Sequence, residues 1–187
     1  MDRKTNLKSD VALRNSRFTV DSSAAGGTGA QMKLIAPSGV SVLLPDKILY
    51  ELFALCTKAF PLETGGIIYG DYTDDNSCAS IKGVTGQTTD SRAGRTWFHR
   101  GVGKLQILLN NLWRNKLYYL GEWHFHPNGA PDPSGRDLSS LKSIAESSRT
   151  HCTDPLMLIV GGNKSTFTYR AYLVNGDGEY VELDPAE

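Results

Sequence analysis

Two histidines separated by a single residue, His124 and His126, stand out in this 187-residue chain. In a strand, side chains at i and i+2 share a face. The two imidazoles therefore make a two-point clamp for a metal ion. Asp137 follows eleven residues after His126, in what reads as the first turn of a helix. From there a carboxylate can swing back over the strand end as a third ligand. Two imidazoles and one carboxylate leave the fourth position of a zinc ion open to water, as in catalytic rather than structural sites. A plainer reading stands beside this one. Ser134 and Asp137 also fit a capping box, Ser-x-x-Asp, which needs no metal, and His-x-His alone is a weak motif.

The elements that must position these residues follow from periodicity and punctuation. A hairpin is expected over 33–44 around Pro37-Ser38-Gly39. A helix is predicted over 45–60, with Pro45 suited to its first turn. Ile48, Leu49, Leu52, Phe53, Leu55, Cys56 and Ala59 recur at helical spacing, and Pro61 ends it. Glu63-Thr64-Gly65-Gly66 reads as a loop entering a buried strand, with another strand over 79–84. Residues 86–103 read as a long loop, followed by a helix over 104–116 whose apolar face is Leu105, Leu108, Leu109 and Leu112. An aromatic-rich strand runs over 117–124 into the His-x-His pair. Prolines 127, 131 and 133 then lead to a helix over 134–147. A central strand is expected at 155–160 and a terminal hairpin over 167–183, turning at Asn175-Gly176-Asp177-Gly178. Residues 1–31 are expected to be a flexible tail, because Ser, Gly and Ala dominate its later part. Residues 32–187 are expected to be one domain.

At this point the spacing resembles a known signature. His124-x-His126-Pro127, six residues, then Ser134-x-x-Asp137, with Glu63 upstream in Glu-Thr-Gly-Gly, is similar to the JAMM motif of the JAB/MPN metalloproteases. The resemblance spans about residues 33 to 175. It implies an α/β fold, a mixed curved β-sheet flanked by helices in a cytidine-deaminase-like arrangement. It also implies one catalytic Zn2+ held by His124, His126 and Asp137. Glu63 would be the general base and then proton donor to the leaving amine, and Ser134 would support the oxyanion. Glu122, two residues before His124 on the same strand face, reads either as a partner of a ligand histidine or as a satisfied polar residue. His99 and His151 lack ligand spacing.

Such enzymes cut after the C-terminal glycine of ubiquitin-like proteins. By this resemblance the substrate tail would lie extended along a sheet edge, and the 86–103 segment, with Arg92, Arg95 and Arg100, would help to bind it. A narrower resemblance lies in Tyr-Tyr-Leu-Gly-Glu-Trp-His-x-His-Pro, Asp90-Ser91-Arg92 and Phe98-x-Arg100-Gly101. These are similar to bacterial JAB isopeptidases of CBASS anti-phage operons. Such enzymes free a cGAS-like nucleotidyltransferase from conjugates made by a companion E1/E2-type protein. The alternatives are a peptidase of another ubiquitin-like or sulfur-carrier pathway, and a non-catalytic MPN scaffold.

Composition narrows the partners. Basic and acidic residues balance at 20 each, so bulk charge does not draw the chain to nucleic acid. No apolar run approaches a membrane span, the N-terminus lacks a secretory signal, and the cytoplasm is the expected compartment. The three cysteines, Cys56, Cys78 and Cys152, have no CxxC spacing, which argues against a disulfide framework or zinc ribbon.

Overall fold

In the computed structural model, which describes residues 17–18, 30–147, 150, 152–174 and 179–186, strands and helices interleave. The chain runs through β1 (Arg17–Phe18), β2 (Gln31–Ile35), β3 (Ser41–Pro45), α1 (Asp46–Ala59), β4 (Thr64–Tyr72) and β5 (Cys78–Val84). It continues through β6 (Arg92–Ala93), β7 (Phe98–His99), α2 (Leu105–Arg114), β8 (Tyr118–Pro127) and α3 (Gly135–Ala145). The last strands are β9 (Leu156–Gly162), β10 (Phe167–Val174), β11 (Tyr180–Glu182) and β12 (Asp184–Pro185).

Nine of these strands line up as β1-β10-β9-β8-β4-β5-β3-β2-β12, and β11 pairs with β10 beside that path. The β3–β5 and β8–β9 pairs are parallel and the others antiparallel. This is the mixed sheet expected from the sequence. β6 and β7 form a separate two-stranded ribbon.

The sheet is covered on both faces. β9 shows why: Leu156, Leu158 and Val160 join the main core, while Met157 and Ile159 join a second cluster on the other side. On the first face α1 packs Ile48, Leu49, Leu52, Phe53 and Cys56 against Trp123 and Phe125 of β8. Phe53 stacks on Phe167 at 5.0 Å between centroids. Trp123 is 1% exposed, and its indole N–H donates to the Thr85 carbonyl at 2.8 Å, so its polar edge is satisfied inside the core. On the second face Leu141 of α3 packs with Met157, Ile159, Tyr172 and Val174. Beside it, Leu105, Leu108 and Leu109 of α2 cover Ile67, Tyr119 and Cys152.

A bulge decides which β8 residues face which side. Between Ile68↔Gly121 and Tyr69↔Tyr119 the β4–β8 register slips, leaving Leu120 as the extra residue. After the slip Trp123 and Phe125 turn to the α1 face, while Glu122, His124 and His126 alternate with them toward α3. Gly121 makes this possible: its φ is +150°, and a Cβ there would meet the Leu156 carbonyl at 1.8 Å.

Several expectations shift by a few residues. Pro45 ends β3 and serves as the N-cap of α1 rather than its first-turn residue. Ser134 caps α3 from outside the helix. The Glu-Thr-Gly-Gly motif is not a loop: β4 already begins at Thr64, and Gly65 and Gly66 pair with His124 and Trp123. The 86–103 segment contains the β6–β7 ribbon, whose two-residue strands are too short to show a period. β10 and β11 pair antiparallel, and the Asn175–Gly178 turn lies outside the described residues. So does most of the expected tail, in which Arg17 and Phe18 pair with Thr168 and Phe167. Among the described residues no helix is long and apolar enough to cross a membrane.

Gly121→Ala is expected to lower stability by about 3 kcal/mol, combining a disfavoured φ with a backbone clash. Chemical denaturation checks this, and a change under about 0.5 kcal/mol (the usual range of surface substitutions) would show that the bulge tolerates a side chain.

Candidate functional site

The site is assembled by neighbouring elements of the sheet and the helix that lies on it. β8 brings His124 and His126. β4 lies beside it in the sheet, so Glu63, immediately before Thr64, reaches the same place although 61 residues separate it from His124. α3 contributes Asp137 from its first turn. There the capping box is complete: the Asp137 N–H donates to Ser134 Oγ at 3.2 Å and the Ser134 N–H donates to Asp137 Oδ2 at 2.7 Å. The box therefore fixes the carboxylate and leaves its other oxygen for the imidazole. Capping and site chemistry coexist in one residue.

His124 lies between the two acids. Its Nδ1 is 2.8 Å from Asp137 Oδ1 and its Nε2 is 2.9 Å from Glu63 Oε2. All three side chains are largely covered, with 13%, 6% and 10% of their side-chain surface exposed for His124, Asp137 and Glu63. His126 Nε2 lies 3.6 Å from Asp137 Oδ2, and its Nδ1 meets the Ala130 carbonyl at 3.3 Å. The two imidazole centroids are 5.0 Å apart. Phe98 of β7 closes one wall, its ring centroid 5.7 Å from that of His124.

The electrostatics follow from this crowding. Burial disfavours a charged imidazole, but the hydrogen bonds to Asp137 and Glu63 outweigh it and raise the His124 pKa to about 9. Burial alone would also raise Asp137. Its bonds to His124, His126 and Ser134 reverse that and hold it well below the usual carboxylate range. At neutral pH His124 then carries protons on both nitrogens and donates one to each acid.

The donor set suits a divalent metal. Glu63, His124 and His126 each offer a ligand atom, and these atoms lie within 4.8 Å of one another. Asp137 touches both histidines. Two neutral imidazoles with carboxylate oxygens are hard-to-borderline donors of the kind zinc accepts. The excess negative charge that keeps a proton on His124 is what such a cation would balance.

Around these residues opens a groove of about 610 Å³, lined in part by Arg95, Trp97, Phe98, Ser134 and Arg136. Of the three arginines expected to meet substrate, Arg95 lines this groove and Arg92 is exposed on β6. Arg100 pairs with Glu122 at 2.5 Å and lines an adjoining pocket with Phe98, His124 and Asp137. The Tyr119 hydroxyl donates to the same carboxylate at 3.1 Å. Glu122 is thus a satisfied polar residue, and the partners of His124 are Asp137 and Glu63. His99 is exposed, and His151 lies outside the described residues. Cys56, Cys78 and Cys152 are free thiols. Phe98 and the Ala130 carbonyl were not foreseen as parts of the site. A backbone carbonyl leaves no trace in residue types, but the prolines around Ala130 do mark a rigid turn.

Residues 45–173 match the family model for prokaryotic homologs of the JAB domain. A CD-NTase/cGAS isopeptidase of Enterobacter hormaechei subsp. hoffmannii is 46% identical over 123 residues, 66% of this chain and 68% of that protein. A Sinorhizobium fredii protein described as a probable metalloprotease is 22% identical over 139 residues, 71% of this chain and 82% of that protein. In fold, the solution structure of a Desulfitobacterium hafniense protein superposes with a TM-score of 0.52 at 19% identity, covering 75% of this chain and 86% of that one.

Two measurements probe the metal. Because a cation must displace the proton on His124, zinc affinity should fall about tenfold per pH unit below pH 9. Binding at pH 7 should release a proton, read by calorimetry in buffers of different ionisation enthalpy. Affinity independent of pH between 6 and 8 would contradict the His124 assignment. Separately, Asp137→Ala should lose most of its metal under mild chelation while Glu63→Ala retains it. The reverse order would make Glu63 the carboxylate ligand.

Proposed function

This chain belongs to the family of prokaryotic homologues of the JAB domain, and we propose that it is a zinc-dependent isopeptidase that frees a CD-NTase/cGAS-type protein from conjugates joined through a C-terminal glycine. The observation that carries this reading is the convergence of Glu63, His124 and His126 within 4.8 Å of one another, with Asp137 2.8 Å from His124, at the floor of an open groove. The 46% identity to a CD-NTase/cGAS isopeptidase supports the substrate class. Conjugates of this kind presuppose a companion E1/E2-type activity.

His124, His126 and Asp137 hold the metal in this reading. Bound zinc would supply Lewis-acid activation of water and of the scissile carbonyl. Every other task falls to the chain. Glu63 is anchored at the groove floor rather than solvated. Its carboxylate accepts a proton from the attacking water and returns it to the leaving amine, so one group serves as base and then as acid. Ser134 Oγ accepts the Asp137 N–H. Its own O–H proton is left to donate to the oxyanion that develops on the substrate carbonyl. Arg95 and Trp97 line the groove into which an extended substrate tail would pass.

The test is a CD-NTase fused by an amide at its C-terminal glycine to a reporter. Cleavage is expected, to be abolished by chelator and restored by zinc. Glu63→Ala should keep fold and metal but lose about 10²–10⁴-fold in turnover. A variant retaining a tenth or more of the rate (well outside that range) would remove Glu63 as the base. Failure to cleave any such fusion would remove the substrate class.

A further inference from the structure

The turn between β8 and α3 joins the histidine pair to Asp137, and neighbouring strands support it along its length. The Asn128 N–H donates to the Gly162 carbonyl at 2.6 Å and the Gly129 N–H to the His126 carbonyl at 3.1 Å. The turn then rests on the backbone of Gly161, where a Cβ would meet the Gly129 carbonyl oxygen at 2.6 Å and the Ala130 carbonyl carbon at 2.7 Å. Beyond that point two side chains of β10 take over. The hydroxyl of Tyr172, a residue only 3% exposed, donates to the Pro131 carbonyl at 3.3 Å. The Arg170 guanidinium pairs with Asp132. Its Nε lies 3.4 Å from Glu182 of β11, which steadies it from behind. Arg170 and Tyr172 are i and i+2 on one strand, so both project from the same face.

Residues 130, 131 and 132 are consecutive, and each has a distinct engagement. Ala130 offers its carbonyl to His126 Nδ1 at 3.3 Å. Pro131 and Asp132 are held by Tyr172 and Arg170. In a neutral His126 ring, the Nδ1–H bond to Ala130 leaves Nε2 as the lone-pair donor that faces Asp137. We propose that Arg170 and Tyr172 are positioning residues for the metal centre. By clamping the two residues after Ala130, they fix the carbonyl that sets the tautomer and rotation of the His126 imidazole. The inference rests on the metal-site reading above. Asp132 is well exposed, and surface ion pairs contribute little to folding. The clamp therefore acts on local geometry more than on stability.

The experiment loads the full chain with zinc and follows transfer of the metal to a chelator. Wild type is compared with Arg170→Ala, Arg170→Lys and Tyr172→Phe. Two further readouts accompany it: the thermal midpoint of each metal-free protein and the His126 ring N–H signal in nitrogen-15 NMR spectra. Arg170→Ala and Tyr172→Phe are each expected to release zinc about threefold to tenfold faster, less than is typical for direct partners of ligands. Their His126 ring signal should shift or broaden, with metal-free midpoints close to wild type. Arg170→Lys should recover much of the loss. Release rates and a His126 signal matching wild type would overturn the proposal, as would faster release that merely tracks a lowered metal-free midpoint. A wild type that takes up no zinc would overturn the metal reading itself, and this inference with it.

Discussion

Glu63 and Asp137 close on opposite nitrogens of the His124 ring, and two acids this well covered on either side of one imidazole favour positive charge between them. A proton supplies that charge when no metal is present, which is why His124 holds its proton up to about 9. A divalent cation satisfies the same demand. The architecture can be understood as what it takes to bring these groups together. The β9-β8-β4 order puts the histidine strand at the middle of the sheet with Glu63 beside it, and the capping box turns Asp137 back over the strand end.

Holding charged groups in a covered place requires a rigid frame, because an acid that loses its partners there bears the full cost of desolvation. The frame is layered. Trp123 and Phe125 anchor β8 into the α1 face from the positions that alternate with the histidines. On the other face Leu141 fixes α3 against β9 and β10, setting the helix start that carries Asp137. The Leu120 bulge connects these two facts. Without the one-residue slip, the aromatic anchors and the imidazoles would exchange faces. The Arg100–Glu122 pair, with Tyr119 as third member, fastens the chain just beyond β7 to β8 two residues from His124.

Much of the site was legible in the sequence because its logic is local. His124 and His126 share a strand face by spacing alone, and Ser134 and Asp137 announce a helix start whose capping box contains an acid. Glu63 was legible only by resemblance to a family motif. Its approach to His124 depends on strand order, which spacing does not encode. The long helices and strands were readable within a few residues because their apolar residues recur at a helix or strand period. The β6–β7 ribbon was not, since two-residue strands have no period. The bulge was hidden for a related reason: a slip of one residue changes the phase of a pattern without changing its composition, and Gly121 is its only mark. The pairing of Arg100 with Glu122 across 22 positions was equally hidden, because charge alone does not specify it.

The proposed chemistry needs one ion shared by these side chains. The most direct test is diffraction from zinc-loaded crystals at the zinc absorption edge. A single anomalous peak is predicted about 2.0–2.2 Å from a ring nitrogen of His124, a ring nitrogen of His126 and a carboxylate oxygen of Asp137, with Glu63 near but not bonded. No peak at the groove floor, or one coordinated by other residues, would contradict it.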